Sequence, residues 1–447
     1  MAGIIGISGV KQSKTAHDML SKISHRGKKH NILLLKSGIT IGFASNNLNS
    51  LCNDVKNTNF FSLSNRIDST SVLIENNRII LKRDKYGVEP LYYTMIDDAD
   101  IAFSSEVKAL TAFGTTIHEL NPGFVLANKE LRKYYELEKA VHINIEQREL
   151  STLLKETLSK AIQKRLGNNS IGAWLSGGLD SSAISALLRP MVNDLHTFAV
   201  GFREAEDLKY AKIVADHIRS IHHERIISFE EIVKVLPDVI YHLESFDALL
   251  VRSSIMNYLV SQLASEYVEE VFSGEGGDEL FAGYQYIKEM PENQIEDELI
   301  DITKRLHNTA LQRVDRCSSA FGTIAHVPFL DDEVVELATK IPVDQKLYKK
   351  TEKWILRLAL VDYLPTEVLM RTKSKFWEGS GIGEHYYKYA EGLISDSDFN
   401  TERKIKCGWI LNSKEELMYY RIFKDHFGEM ENLDWMGRTK NVIPDIA

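Results

Sequence analysis

The chain of 447 residues is 44% hydrophobic and 26% charged, with 63 acidic against 54 basic side chains and a formal charge of −9. That balance supports a large buried core, excludes a globally disordered chain, and leaves no general electrostatic pull toward nucleic acid or anionic lipid. Three widely spaced cysteines, Cys52, Cys317 and Cys407, exclude a disulfide framework and a paired-cysteine zinc site and fit a reducing, cytoplasmic setting. No run of roughly 18 apolar residues and no basic-then-apolar leader predicts a membrane span or a secretory signal.

From the N-terminus to about residue 140, short apolar runs broken by Asn, Ser and Gly predict strands at Ile4–Ser8, Asn31–Leu35, Ile39–Phe43, Ser71–Ile74, Arg78–Leu81 and Leu91–Thr94. The periodicity then turns helical, with Leu150, Leu154, Leu158, Ala161 and Ile162 at spacings of three and four, stopped near Gly167. Next come an apolar strand Ile171–Leu175, a glycine turn and a helix, a second buried strand Leu195–Gly201, and a helix Tyr210–Ile218. Alternating strands and helices predict a parallel α/β sheet, and the rest of the chain reads as mainly helical. Two domains are expected, 1–142 and 143–447.

The turn after the first α/β strand reads Ser176-Gly-Gly-Leu-Asp-Ser-Ser. Glycines between a strand and a helix let the backbone approach a ligand and aim free N–H groups at it, an arrangement suited to phosphate. No Lys follows, unlike the G-x-x-x-x-G-K-[ST] loop, and the spacing differs from G-x-G-x-x-G. Asp180 would repel a bare phosphate, which implies Mg²⁺ between them. A second glycine-rich acidic string, Ser273-Gly-Glu-Gly-Gly-Asp-Glu, follows Val271-Phe272; Asp278 with Asp180 would supply two hard oxygen ligands to that metal.

These strings resemble the asparagine synthetase B family of ATP-pyrophosphatase amidotransferases. Further segments agree in order: Phe198-Ala-Val-Gly, Asp207-Leu-Lys-Tyr-Ala, His222-His-Glu, Tyr241-His-Leu-Glu, Val314-Asp-Arg, Val327-Pro-Phe-Leu-Asp and Arg371-Thr-Lys-Ser-Lys-Phe. The resemblance implies a degenerate Ntn-hydrolase-like αββα sandwich followed by a PP-loop parallel α/β domain with a helical C-terminal part. It implies adenylation of a small carboxylate by ATP, aspartate by default, release of pyrophosphate, and displacement of AMP by ammonia or an amine. By the same resemblance Ser176, Gly177, Gly178, Asp180, Ser181 and Ser182 hold phosphates, and Leu175, Val200, Ser273 and Gly274 contact the adenosine. Glu275 would act at the acyl-adenylate or its attacking nitrogen, Lys373 would neutralise phosphate charge, and Arg252 would clamp the α-carboxylate of aspartate. Lactam-forming relatives carry Tyr where Glu275 stands, so Glu275 favours amidation; a specialised amide- or lactam-forming synthetase is the alternative. A tRNA-modifying enzyme sharing only the loop is a further alternative, disfavoured by the charge.

The front domain departs from that family. Its members begin Met-Cys-Gly-Ile and use the Cys to hydrolyse glutamine, whereas this chain begins Met1-Ala2-Gly3-Ile4. A methyl group cannot attack an amide. His25-Arg-Gly, Arg83-Asp-Lys-Tyr-Gly and Phe103-Ser-Ser-Glu-Val-Lys-Ala-Leu are kept, but residues 28–82 are too few for the family's intervening strands and lack its glutamine-binding segments. A shortened domain without glutaminase activity is expected, retained for packing or for a homodimer. Nitrogen would then come from free ammonia, an amine, or a separate glutaminase. Where the family has two threonines before its Arg, this chain has Leu249-Leu250; two hydroxyl donors are lost there.

Overall fold

The computed structural model describes residues 2–9, 13–35, 38–46, 60–63, 69–97, 100–167, 169–371 and 382–439. Eleven strands form the front of the chain: β1 Gly3–Ile7, β2 Lys29–Leu34, β3 Thr40–Ser45, β4 Phe60–Ser62, β5 Ser71–Glu75, β6 Arg78–Lys82, β7 Tyr92–Met95, β8 Ile101–Ser104, β9 Ile117–Glu119, β10 Phe124–Ala127 and β11 Glu130–Lys133. They make two antiparallel sheets, ordered β2-β3-β1-β8-β7-β9 and β11-β10-β6-β5-β4. In β1 the side chains alternate: Ile4 enters the space between the sheets with Phe43, Phe61, Val72, Leu81 and Phe103, while Ile5 and Ile7 face the opposite side with Met19 and Leu20 of the helix Ser13–Lys22. That second face is continuous with the core of the rest of the protein.

The second half is built on a parallel sheet of β12 Ile171–Trp174, β13 His196–Gly201, β14 Ile221–Ile226, β15 Glu270–Phe272 and β16 Ile324–His326, ordered β14-β13-β12-β15-β16. β12 and β13 sit where the apolar runs predicted them. The helices Leu179–Leu188 and Glu206–Ile218 follow their strands, and Ala248–Ser265 packs on β13. β14, β15 and β16 were not predicted as strands: β14 reads Ile-His-His-Glu-Arg-Ile at the sheet edge with Ile221 and Ile226 exposed, and the other two are three residues long. Among the described residues no helix is long and apolar enough to cross a membrane.

The two halves meet through a buried ionic cluster. Arg26 binds Glu106 and Asp315; Lys108 binds Glu106 and, at 3.1 Å, Glu244; Arg316 binds Glu244 at 2.9 Å and Asp315 at 3.3 Å. Glu244 also accepts the backbone N–H groups of Val107 and Lys108 at 3.0 and 2.7 Å. Burial opposes the charge on Glu106, but His25, Lys108, Arg26 and Arg316 outweigh it and hold the carboxyl well below its ordinary range. Lys85 reaches Asp332 at 2.7 Å, and Arg83 and His307 share Glu119 at 2.7 and 2.8 Å. The retained motifs His25-Arg-Gly, Ser104-Ser-Glu-Val-Lys, Tyr241-His-Leu-Glu and Val314-Asp-Arg thus build the seam between the halves.

Candidate active site

β12 is the point at which strand order reverses, since the chain runs outward to β13 on one side and to β15 on the other. Open α/β sheets bind ligands at the carboxyl ends of strands at such a point. Here the carboxyl end of β12 leads into Leu175 and the Ser176–Ser182 turn, and that of β15 leads into Ser273–Glu279. The two turns touch through their glycines. A Cβ at Gly274 would lie 2.6 Å from the Ser181 nitrogen, and one at Gly277 would lie 2.6 Å from the Asp180 carboxylate. Only a residue without a side chain allows that approach.

A cavity of about 900 Å³ opens at this junction, lined by Leu175, Ser176, Gly178, Asp180, Ser181, Val200, Ser273, Gly274, Glu275 and Asp278. Ser181 draws the turn tight: its hydroxyl accepts from the Ser176 nitrogen at 3.2 Å and lies 3.0 Å from the Ser176 hydroxyl. The helix Leu179–Leu188 starts here with its amino end at the turn, the favourable pole for an anion. Gly177 packs against Tyr210 and Ala211, and Ser182 is buried inside the helix, so neither lines the cavity.

Asp180 and Asp278 converge on a residue that sequence reasoning missed. The Lys353 ammonium, 4% exposed, binds Asp180 and lies 2.6 Å from Asp278. Burial works against that charge; the two carboxylates outweigh it and raise the Lys353 pKa. Nothing in Glu352-Lys-Trp, one basic residue among many, signals this position. Glu275 is held by another unpredicted residue, Arg313, whose Nη2 donates to both carboxylate oxygens at 2.8 Å. Glu279, buried and bonded to the Tyr284 hydroxyl, is pushed up to about 7 by burial and then by Asp278 and Glu275. Arg371 clamps the first turn from behind: it binds Asp207, donates to the Gly177 carbonyl at 3.0 Å, and stacks over Tyr210 at 4.1 Å.

A third predicted residue, after Gly177 and Ser182, does not line the cavity. Arg252 is absent from its lining; its Nε donates to Glu415 at 2.7 Å and its Nη2 to the other oxygen of the same carboxylate, which also accepts from Tyr419 at 2.7 Å. In this structure the guanidinium fork that the resemblance assigns to a substrate carboxylate is filled by Glu415. Lys373 lies outside the described residues. His326 bonds Glu270 at 2.8 Å and does not line the cavity.

The asparagine synthase family model matches residues 153–298 and 292–441, and a glutamine amidotransferase domain model matches 73–163. The chain is 31% identical over 400 residues to a probable glutamine-hydrolysing asparagine synthetase of Dictyostelium discoideum, covering 81% of this chain and 72% of that one. It is 33% identical to asparagine synthetase B of Escherichia coli, covering 79% and 68%, and 33% identical to asparagine synthetase 2 of Oryza sativa, covering 78% and 63%. With the family model spanning the whole parallel-sheet half and the motif glycines in contact around one cavity, the chain belongs to the asparagine synthetase family of ATP-dependent carbon–nitrogen ligases, which form AMP and pyrophosphate.

Proposed function

We propose that the protein adenylates a small carboxylate and transfers ammonia or an amine to it, without glutaminase activity of its own. The front unit, residues 1–142, serves as a brace for the synthetase unit, 143–447, in a cytoplasmic enzyme. A carboxylate oxygen bonds to the α-phosphorus of ATP and the bond to the β-phosphate bridge breaks, releasing pyrophosphate. The nitrogen then bonds to the acyl carbon, the bond to AMP breaks, and the nitrogen sheds a proton. The observation that carries this reading is the contact of Gly274 and Gly277 with Asp180 and Ser181, which puts two acid-bearing turns against one cavity.

Asp180 and Asp278 suit Mg²⁺, because both carboxylates reach one ammonium and Mg²⁺ is commonly held by one or two carboxylates together with substrate phosphates. When bound, that ion would neutralise phosphate charge. The chain's own contribution is positional: backbone N–H groups at the amino end of the helix Leu179–Leu188 receive the phosphates, Lys353 keeps the two acids together, and Arg313 fixes Glu275 toward the acyl group. Ala2, which immediately precedes β1 and is 8% exposed, offers no nucleophile.

The test is exchange of labelled pyrophosphate into ATP in the presence of carboxylic acids, followed by amide formation with ammonia or with glutamine. Acid-dependent exchange, with ammonia and not glutamine completing the reaction, is expected. Turnover with glutamine by the pure protein would overturn the loss of glutaminase activity, and absence of exchange with every acid would overturn the adenylation.

A further inference from the structure

We propose that the acceptor is a monocarboxylate with an apolar chain rather than aspartate, and that Leu249 and Leu250 set this specificity. The inference rests on the adenylation reading above and names the substrate class of the same cavity.

Aspartate brings two more charges than the carboxylate that reacts, an ammonium and a second carboxylate, and both need partners where water is excluded. Each cationic side chain that lines the cavity, among the described residues, already faces a carboxylate of this chain. Lys353, Arg313 and Arg371 do so as described; Arg305 binds Asp301 at 3.0 Å, Arg357 binds Glu352 at 2.6 Å, and Arg438 binds Glu416. Arg252 is held by both oxygens of Glu415 and faces elsewhere. A second substrate carboxylate would have to displace one of these acids.

The helix Ala248–Ser265 presents Leu249 and Leu250 to the cavity at its first turn. The Ser253 hydroxyl, next along the cavity-facing side of the helix, is turned back onto the backbone, donating to the Leu249 and Leu250 carbonyls at 3.0 Å each. Leu306 and Ala310 line the same cavity and add apolar surface. Branched alkyl walls gain from burying methylene groups and give nothing to an ammonium. A short aliphatic acid places its one carboxylate at the α-phosphate of ATP, forms the bond to phosphorus as pyrophosphate leaves, and lays its chain along these leucines.

The full-length protein is assayed for pyrophosphate exchange with butanoate, pentanoate, hexanoate and 3-phenylpropanoate against L-aspartate, L-glutamate and succinate. At least one apolar acid should exceed aspartate by about 100-fold in exchange rate. Aspartate matching or exceeding all apolar acids overturns the inference while leaving adenylation intact; exchange with none of the seven acids takes down both. Leu249→Ala, at a half-buried position that tolerates truncation, should raise KM for the apolar acid about tenfold with kcat and the KM for ATP unchanged. An unchanged KM for the acid refutes the placement of its chain.

Discussion

Replacing Lys353 by Gln removes a cation shared by the two converging carboxylates. Its ammonium lies 2.6 Å from Asp278 and is also bonded to Asp180, and the side chain is 4% exposed. At an effective dielectric near 20, a unit pair at that distance attracts by about 6 kcal/mol before the cost of removing both charges from water. Desolvation takes back most of that, and the acids remain 15% and 20% exposed, so water softens the loss. A stability cost of about 2 to 3 kcal/mol is expected, at or below the lower end for breaking a buried pair. The effect on chemistry should be larger. Without Lys353 the two carboxylates repel, and the negative charge facing the phosphates is no longer offset; loss of one preorganised electrostatic group costs about 10² to 10³ in rate. The assay pairs urea unfolding with pyrophosphate exchange on the same preparation. Exchange within threefold of the parent protein, in a variant that is folded, would refute the role given to Lys353.

Arg316→Met should cost about 3 kcal/mol in urea unfolding, the lower end for breaking a buried pair, because the fully buried Glu244 and Asp315 lose a shared cation but keep Lys108 and Arg26; adding Glu244→Gln should recover part of that loss. His242, at the same seam, is pushed down to about 2 by burial and by Lys108 and His25, so it stays neutral when folded while its unfolded counterpart takes a proton below about pH 6.5. Stability should therefore fall as pH drops below 6.5, by at most about 1.4 kcal/mol per pH unit from this group, and His242→Gln should flatten the slope; an identical slope in the variant would remove His242 as its source. Burial pushes the Cys317 thiol up to about 12, where it is bonded to the Ser254 carbonyl at 3.4 Å, so iodoacetamide at pH 8 should label it in urea and leave it untouched in the native protein, as read by peptide mass.

Features that depend on local pattern are legible in the sequence. Apolar runs located β12 and β13, three-and-four spacing located the helix Gln147–Gln163, and glycines flanking Asp180 and Asp278 marked the two turns that meet. Those signals are readable because backbone approach and side-chain periodicity are properties of neighbouring residues. The charge pairings, by contrast, emerge from folding. Lys353 and Arg313 look like any surface cation until folding delivers them to acids 173 and 38 positions away. Arg252 matches a substrate clamp in sequence and is taken by Glu415, 163 residues on. The strings His25-Arg-Gly and Val314-Asp-Arg read only as family landmarks in one dimension and prove to be two sides of a buried ionic seam, because a charge gains its meaning from whichever opposite charge lies within a few ångströms after desolvation, and sequence separation carries no record of that distance.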